Sequence, residues 1–247
     1  MRIADGIHRL GEGLVNSYLL EEAGEVTIID AGAPAYWGAL PAELAAMGCS
    51  LDDVRAVVLT HAHTDHIGFA ERIRRERNVP VRVHEDDAAL ARGETKARNA
   101  GGMGPIRIPT MLSFLAWSAR HGMLRIPPIR EVLTYGDGAT LDVPGSPRVI
   151  HVPGHTAGSA ALHVPSRDVL FIGDAIVTRG VMSGAIGPQV SAFSADKAQA
   201  LASLARFTGV EAALVLPGHG LPWAGGVAEA VRIAAARFSG PSQPGAR

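Results

Sequence analysis

Thr60-His61-Ala62-His63-Thr64-Asp65-His66-Ile67-Gly68 sets three imidazoles and a carboxylate within six residues, from His61 to His66. Imidazole nitrogen and carboxylate oxygen are donors for zinc, iron or manganese. The first reading of this stretch is therefore a metal site. Three more donors stand in turns flanked by glycine: His155 in Pro153-Gly154-His155-Thr156, Asp174 directly after Gly173, and His219 in Pro217-Gly218-His219-Gly220. The other five histidines, His8, His84, His121, His151 and His163, lie within or beside expected elements without such company, and they read as structural.

The elements around these donors explain how they could meet. Val54 to Leu59, apolar except for Arg55, reads as a buried strand, and the His61–His66 cluster follows it directly. Leu14 to Leu20 and Val26 to Ile29 read as hairpin strands around Glu21-Glu22-Ala23-Gly24. Trp37 to Met47 has helical periodicity and stops at Gly48. Asp65 to Arg77 reads as a helix with Asp65 near its N-terminus, where a carboxylate is favoured. In the second half, strands over Arg148–Val152, Ser159–Val164, Asp168–Ile172 and Ala212–Leu216 alternate with helices over Asp196–Phe207 and Gly226–Phe238. Each donor sits just past a strand end, where open α/β sheets place their sites.

Between Glu85 and Arg130 the pattern loosens. Gly101-Gly102-Met103-Gly104-Pro105 reads as a loop, and Thr110 to His121 as a helix whose Met111, Leu112, Phe114, Leu115, Ala116 and Trp117 cover most of its circumference. Such a helix is expected to be buried on more than one side. It is either core or a homodimer contact through residues 110–121, or a lid whose second face lines a lipophilic pocket. The expected organisation is one domain over residues 1–239, with a helical lid or insertion around 85–130, and a flexible tail at 240–247.

Bulk properties narrow the partners. Hydrophobic residues make up 47% of the 247, enough for a substantial core, and the net charge of −1 offers no nucleic-acid footprint. The most basic run, Arg72-Ile73-Arg74-Arg75-Glu76-Arg77, is broken by an acid and reads as a solvated helix face. One cysteine, Cys49, excludes an internal disulfide and a cysteine-rich zinc site. No apolar signal region opens the chain and no run of 18 apolar residues occurs. A cytoplasmic protein without a membrane partner is expected.

With these motifs in place, the chain resembles the metallo-β-lactamase superfamily. Ile29-Asp30-Ala31-Gly32, the His61–His66 cluster, Gly154-His155-Thr156-Ala157-Gly158, Gly173-Asp174 and Gly218-His219-Gly220 match in order. The resemblance implies an α/β fold, the four-layer αββα sandwich, with the site at one edge of two sheets. It implies two divalent metal ions, zinc first with iron or manganese as alternatives. His61, His63 and His155 would hold one, Asp65, His66 and His219 the other, and Asp174 would bridge them. Asp30 and Thr60 would support the ligand loops. A hydroxide shared by two such metals attacks an electrophilic carbonyl or phosphorus, and Asp65 would orient it and carry a proton. No Gly-x-Ser-x-Gly motif occurs, which agrees with direct attack by water.

Within the superfamily, the chain is similar to glyoxalase II and the acyl-homoserine lactonases. Asp174 argues against antibiotic hydrolysis, because the β-lactamases lack a bridging carboxylate. Val177 stands near where a lactonase carries its assisting tyrosine, so a mechanism that depends on that phenol is not expected. The expected activity is hydrolysis of an ester, thioester or lactone with an apolar acyl group. Met111, Phe114, Leu115, Trp117 and Val177 are the candidate pocket. Iron-dependent oxidation of the persulfide dioxygenase type and phosphodiester hydrolysis are the alternatives. A non-catalytic metal-binding protein is the remote one.

Overall fold

The computed structural model describes residues 1–98 and 106–239. The loop expected at 101–105 and the tail at 240–247 lie outside the described residues. The first sheet has seven strands in sequence order: β1 (Arg2–Ala4), β2 (Ile7–Leu10), β3 (Ser17–Glu22), β4 (Glu25–Ile29), β5 (Val54–Val58), β6 (Val81–His84) and β7 (Leu133–Tyr135). β1 to β4 run antiparallel. β4 to β7 run parallel, joined by crossovers that contain α1 (Tyr36–Ala45), α2 (Ala70–Arg77), and α3 (Ala88–Ala91) with α4 (Ile108–Arg120). β8 (Arg148–His151), β9 (Ala160–Val164) and β10 (Val169–Gly173) form the second sheet. A two-stranded ribbon, β11 (Val177–Arg179) and β12 (Ile186–Gln189), and α5 (Lys197–Ser203) precede its last member, β13 (Leu214–Pro217). α6 (Val227–Ser239) closes the described chain.

Period-two alternation assigns each strand residue to a layer. Tyr18, Leu20, Ile29, Ala56 and Val58 from the first sheet meet Val149, Leu162, Phe171 and Leu216 from the second in one buried cluster. Their sequence neighbours Leu19, Ile28 and Val57 face outward, onto Leu40 and Leu44 of α1 and Ile73 of α2. On the far side, Leu170, Ile172 and Val215 meet Leu204, Phe207, Ala230 and Ala234. Three apolar layers thus separate four structural ones, and the αββα expectation holds. Each fully buried large side chain contributes roughly 1.5–3 kcal/mol, so the three clusters supply the main stabilisation.

Several boundaries differ from the pattern reading for a physical reason. The helix expected from Asp65 begins only at Ala70. Residues before it turn away from helical pairing because the β4–α1 loop captures their backbone: Ala31 N donates to His66 O (2.6 Å) and Gly68 N donates to Gly32 O (2.9 Å). Asp65 therefore does not cap a helix. α4 carries no buried residue, and Ile108, Leu112 and Leu115 are exposed. The expectation of burial on more than one side fails, since one face alone packs, with Trp117 stacked on His121 at 4.2 Å and edge-on to Tyr36 at 6.3 Å.

The β3–β4 hairpin closes through Ala23 (φ +53°) and Gly24 (φ +82°), the two left-handed positions of a tight hairpin turn. Alanine bears a steric cost there that asparagine largely avoids. Ala23→Asn should raise the unfolding free energy by roughly 1 kcal/mol in urea titration; no change or a loss would show that Ala23 is not strained.

Candidate metal centre

β4, β5, β8, β10 and β13 bring their C-terminal ends to the same edge of the sandwich, and the donors follow those ends. His63 Nδ1 lies 2.8 Å from His155 Nε2, which lies 3.1 Å from His61 Nε2. Three nitrogens from two loops thus face one point. His219 Nε2 lies 3.2 Å from both Asp65 Oδ2 and Asp174 Oδ2. Asp174 Oδ2 is also 3.4 Å from His155 Nε2, and its Oδ1 is 3.7 Å from His66 Nε2. Asp174 stands between the two groups, so all seven sequence candidates meet. Three donor sets are close enough to hold a cation here: His61, His63 and His155; Asp65, His66 and His219; and His61, His66 and Asp174.

Buried neighbours fix these side chains. Asp30, in a left-handed conformation (φ +59°), accepts from Thr60 N (2.7 Å) and Thr60 Oγ1 (2.8 Å), and its Oδ2 lies 2.8 Å from His66 Nδ1. With Nδ1 held, His66 turns Nε2 towards the site. Thr60 Oγ1 also lies 3.1 Å from His61 Nδ1. Leu14 O meets His219 Nδ1. Both supporting residues read from the sequence are therefore in place. Sequence reasoning missed Asp87. It accepts from Ala62 N (2.9 Å), Thr156 Oγ1 (2.8 Å) and Gly158 N (2.8 Å), tying the His61–His66 loop to the His155 loop. In the sequence it is the last of three consecutive acids, Glu85-Asp86-Asp87; its place just past the end of a short strand was the available signal.

Gly218 shows how closely the loops approach. A Cβ there would fall 2.6 Å from His66 Cε1 and closer still to Asp174 Oδ1. Any side chain would push two donors out of line.

Burial and charge divide the histidines. Burial and the neighbouring imidazoles hold His61 well below the usual range, and burial brings His155 down to about 3. Both are neutral, as cation binding requires. Burial opposes the charged forms of His66 and His219 too, but carboxylates outweigh it. Asp30 and Asp65 push His66 up to about 9, and Asp174 and Asp65 raise His219. Burial likewise opposes ionisation of Asp65 and Asp174, yet the adjacent imidazoles hold both below the usual carboxylate range.

The fit to a cation rests on two buried atoms. His66 Nε2 and Asp174 Oδ1 have no hydrogen-bond partner, and they face each other across 3.7 Å. A buried polar atom left unpaired costs about 1–3 kcal/mol. A cation accepting lone pairs from both removes that cost. A fourth donor group, His84, Asp86 and His151, does not share this geometry. The rings of His84 and His151 stack at 4.0 Å and 14°, so their in-plane lone pairs run side by side rather than towards one ion.

Cavities open on both sides of the centre. One, of about 110 Å³, is lined by His219, Val177, Val181, Met182 and Phe193. The other, of about 210 Å³, is lined by His63, His155, Thr156, Lys96 and Arg98. Of the candidate pocket residues, Val177 lies beside His219. α4 reaches the rim at its start, where Arg107 N, just before it, donates to Met182 O (3.1 Å), while Trp117 near its other end meets the buried Tyr36. Met111 and Phe114 are half-buried and Leu115 is exposed.

Comparison with known proteins shows the family and the fold. The family model described as "Metallo-beta-lactamase superfamily" matches residues 10–219. The Bacillus subtilis (strain 168) protein named "Probable metallo-hydrolase YflN" is 29% identical over 234 residues, 90% of this chain and 86% of that one. The human acyl-coenzyme A thioesterase MBLAC2 is 32% identical over 123 residues, 48% of this chain and 40% of that protein. Among solved structures, the metallo-beta-lactamase family protein TTHA1429 from Thermus thermophilus superimposes with a TM-score of 0.68 at 28% identity, covering 94% of this chain and 79% of the other.

Asp87 supplies a test of the loop tie. Asp87→Ala should leave Ala62 N and Gly158 N without their acceptor and weaken metal retention about 10–100-fold, measured by competition with a chromophoric chelator. Wild-type retention in a folded variant would show that the tie does not position the donors.

Proposed function

The chain belongs to the metallo-β-lactamase superfamily, and from that premise we propose that it is a dinuclear metal-dependent hydrolase of an ester, thioester or lactone with an apolar acyl group. The observation that carries this reading is the facing pair of orphaned donors, His66 Nε2 and Asp174 Oδ1, within a cage of seven. His61, His63 and His155 would hold one cation, and Asp65, His66 and His219 the second, with Asp174 shared. Divalent cations, when bound, supply Lewis acidity to a carbonyl oxygen and acidity to water near neutral pH.

The chain's own residues do the rest. Asp30 holds the His66 ring at Nδ1, and the Leu14 carbonyl holds His219 at Nδ1, so both Nε2 atoms point inward. The Asp65 side chain is 21% exposed against 4% for Asp174. It is the carboxylate that meets the cleft, and it takes the proton of the attacking water. As the acyl C–O or C–S bond breaks, the same group returns that proton to the leaving oxygen or sulfur. The chain's single thiol does not compete as nucleophile, because Cys49 is buried beside Gly24, in the β3–β4 turn.

The carbon–sulfur option draws support from the likeness to a coenzyme A thioesterase over part of the chain. Zinc is the first choice of metal; imidazole and carboxylate suit iron and manganese as well. Among the described residues no helix is long and apolar enough to cross a membrane. A cytoplasmic setting is part of the proposal, as is a homodimer through residues 110–121, where Leu112 and Leu115 are exposed.

Two measurements test the reading. Chelation should abolish hydrolysis across a panel of lactones, thioesters and esters, and added Zn²⁺ or Mn²⁺ should restore it; activity that survives complete metal removal overturns the proposal. Asp174→Ala should lose at least one ion by elemental analysis and drop below about one hundredth of wild-type activity. A variant that keeps its full metal content would refute the shared role of Asp174.

A further inference from the structure

The cavity beside His219 contains one charged side chain that the hydrolytic reading leaves unused. Val177 and Arg179 alternate with Thr178 along β11, so they share a face, and both line this cavity. Thr178 points the other way, donating to Leu221 O at 2.6 Å. The Arg179 Nε is buried and has no hydrogen-bond partner, and among the described residues no carboxylate pairs with its guanidinium. Several other arginines are paired, as Arg55 is with Glu25, Arg74 with Glu71 and Arg232 with Glu229; Arg9 and Arg82 also leave Nε without a partner, but neither lines this cavity. Among the described residues no acid lines the cavity. The cavity on the opposite side differs: its Lys96 and Arg98 are exposed, and Asp86 lies on the same wall.

Desolvating a guanidinium donor without a partner is unfavourable, and a planar anion answers it with paired, charge-assisted hydrogen bonds. The rest of the wall is largely apolar, with Val177, Val181, Met182 and Phe193 among its lining and Ser183, Gln189 and Ser191 as its uncharged polar members. Such a wall accepts methylenes and rejects a second charge. A volume of about 110 Å³ holds a short chain rather than a fatty one.

We propose that Arg179 binds a carboxylate at the far end of the acyl group, so that the substrates are esters or thioesters of short dicarboxylic acids. This rests on the hydrolytic reading above and specifies its acyl group: apolar along its length and anionic at its end. Arg179 contacts substrate without touching the reacting atoms, so its effect falls on recognition.

The test compares monophenyl glutarate with phenyl valerate, whose terminal methyl replaces the carboxylate, using the metal-loaded protein. Wild type should prefer the glutarate ester about tenfold to hundredfold in kcat/KM, the range of a charge-assisted hydrogen bond. Arg179→Gln should abolish that preference through KM with little change in kcat, and Arg179→Lys should retain part of it. Hydrolysis of both esters with an unchanged ratio in Arg179→Gln overturns the assignment while leaving the hydrolase standing. If the loaded wild type cleaves neither ester, the hydrolytic reading is what fails for these substrates. Calorimetry with malonate, succinate, glutarate and adipate then decides the Arg179 site on its own. Binding at least tenfold tighter to wild type than to Arg179→Gln supports it. Equal binding, or none of the four bound, overturns it.

Discussion

A carboxylate with almost no access to water organises this sandwich edge. Asp30 gives its two oxygens to three partners, Thr60 N, Thr60 Oγ1 and His66 Nδ1. Burying an ion is costly unless every lone pair is answered. Here the answer comes from the strand beside it: Asp30 follows β4, and Thr60 follows β5. The left-handed backbone at Asp30 is part of the same arrangement, since it turns the carboxylate back across the neighbouring strand rather than out to solvent. Remove that charge, and Thr60 N loses its acceptor while His66 loses its orientation.

Asp87 repeats the device at the next parallel strand. Its oxygens bond backbone amides in two loops that lie far apart in sequence. Asp30 fixes the ligand loop to its own sheet, and Asp87 fixes it to the second sheet. The donors thus gain their mutual placement from a frame of buried carboxylates, as metal sites generally do. The same frame explains the late start of α2. Backbone groups that would begin a helix after His63 are bonded to the Ala31-Gly32 loop instead, and a loop, unlike a helix, can aim His61, His63, Asp65 and His66 at one place.

Much of this was legible from residue order, because strand-end placement of donors is a one-dimensional signal. The His61–His66 cluster after an apolar run, and three Gly-flanked donors after later runs, specify which side chains meet. Layering came from the family resemblance rather than from the pattern, because Tyr18-Leu19-Leu20 and Val169-Leu170-Phe171-Ile172 are continuous apolar runs whose successive residues enter different clusters. The helix from Asp65 was misjudged because local propensity cannot see hydrogen bonds made to another loop. Asp87 was hidden because a buried acid and a solvated one are spelled alike. The wall of the cavity beside His219 was not read for a similar reason. Arg179 gains its meaning from an absent partner, and only three-dimensional neighbours reveal an absence. α4 misled in the other direction: an apolar circumference predicts burial, yet in the chain by itself one side of the helix stays open.

The spread of donors along the chain has a consequence for how the protein is made. His61, His63, Asp65 and His66 leave the ribosome together, whereas His219 emerges 153 residues after His66. Until His219 is present, Asp65 and His66 lack the third donor of their group. The donor group of Asp65, His66 and His219 is complete only when β13 docks on β10 and carries His219 to the edge. That group therefore depends on a pairing between strands far apart in the sequence, whereas the His61–His66 cluster lies within one loop.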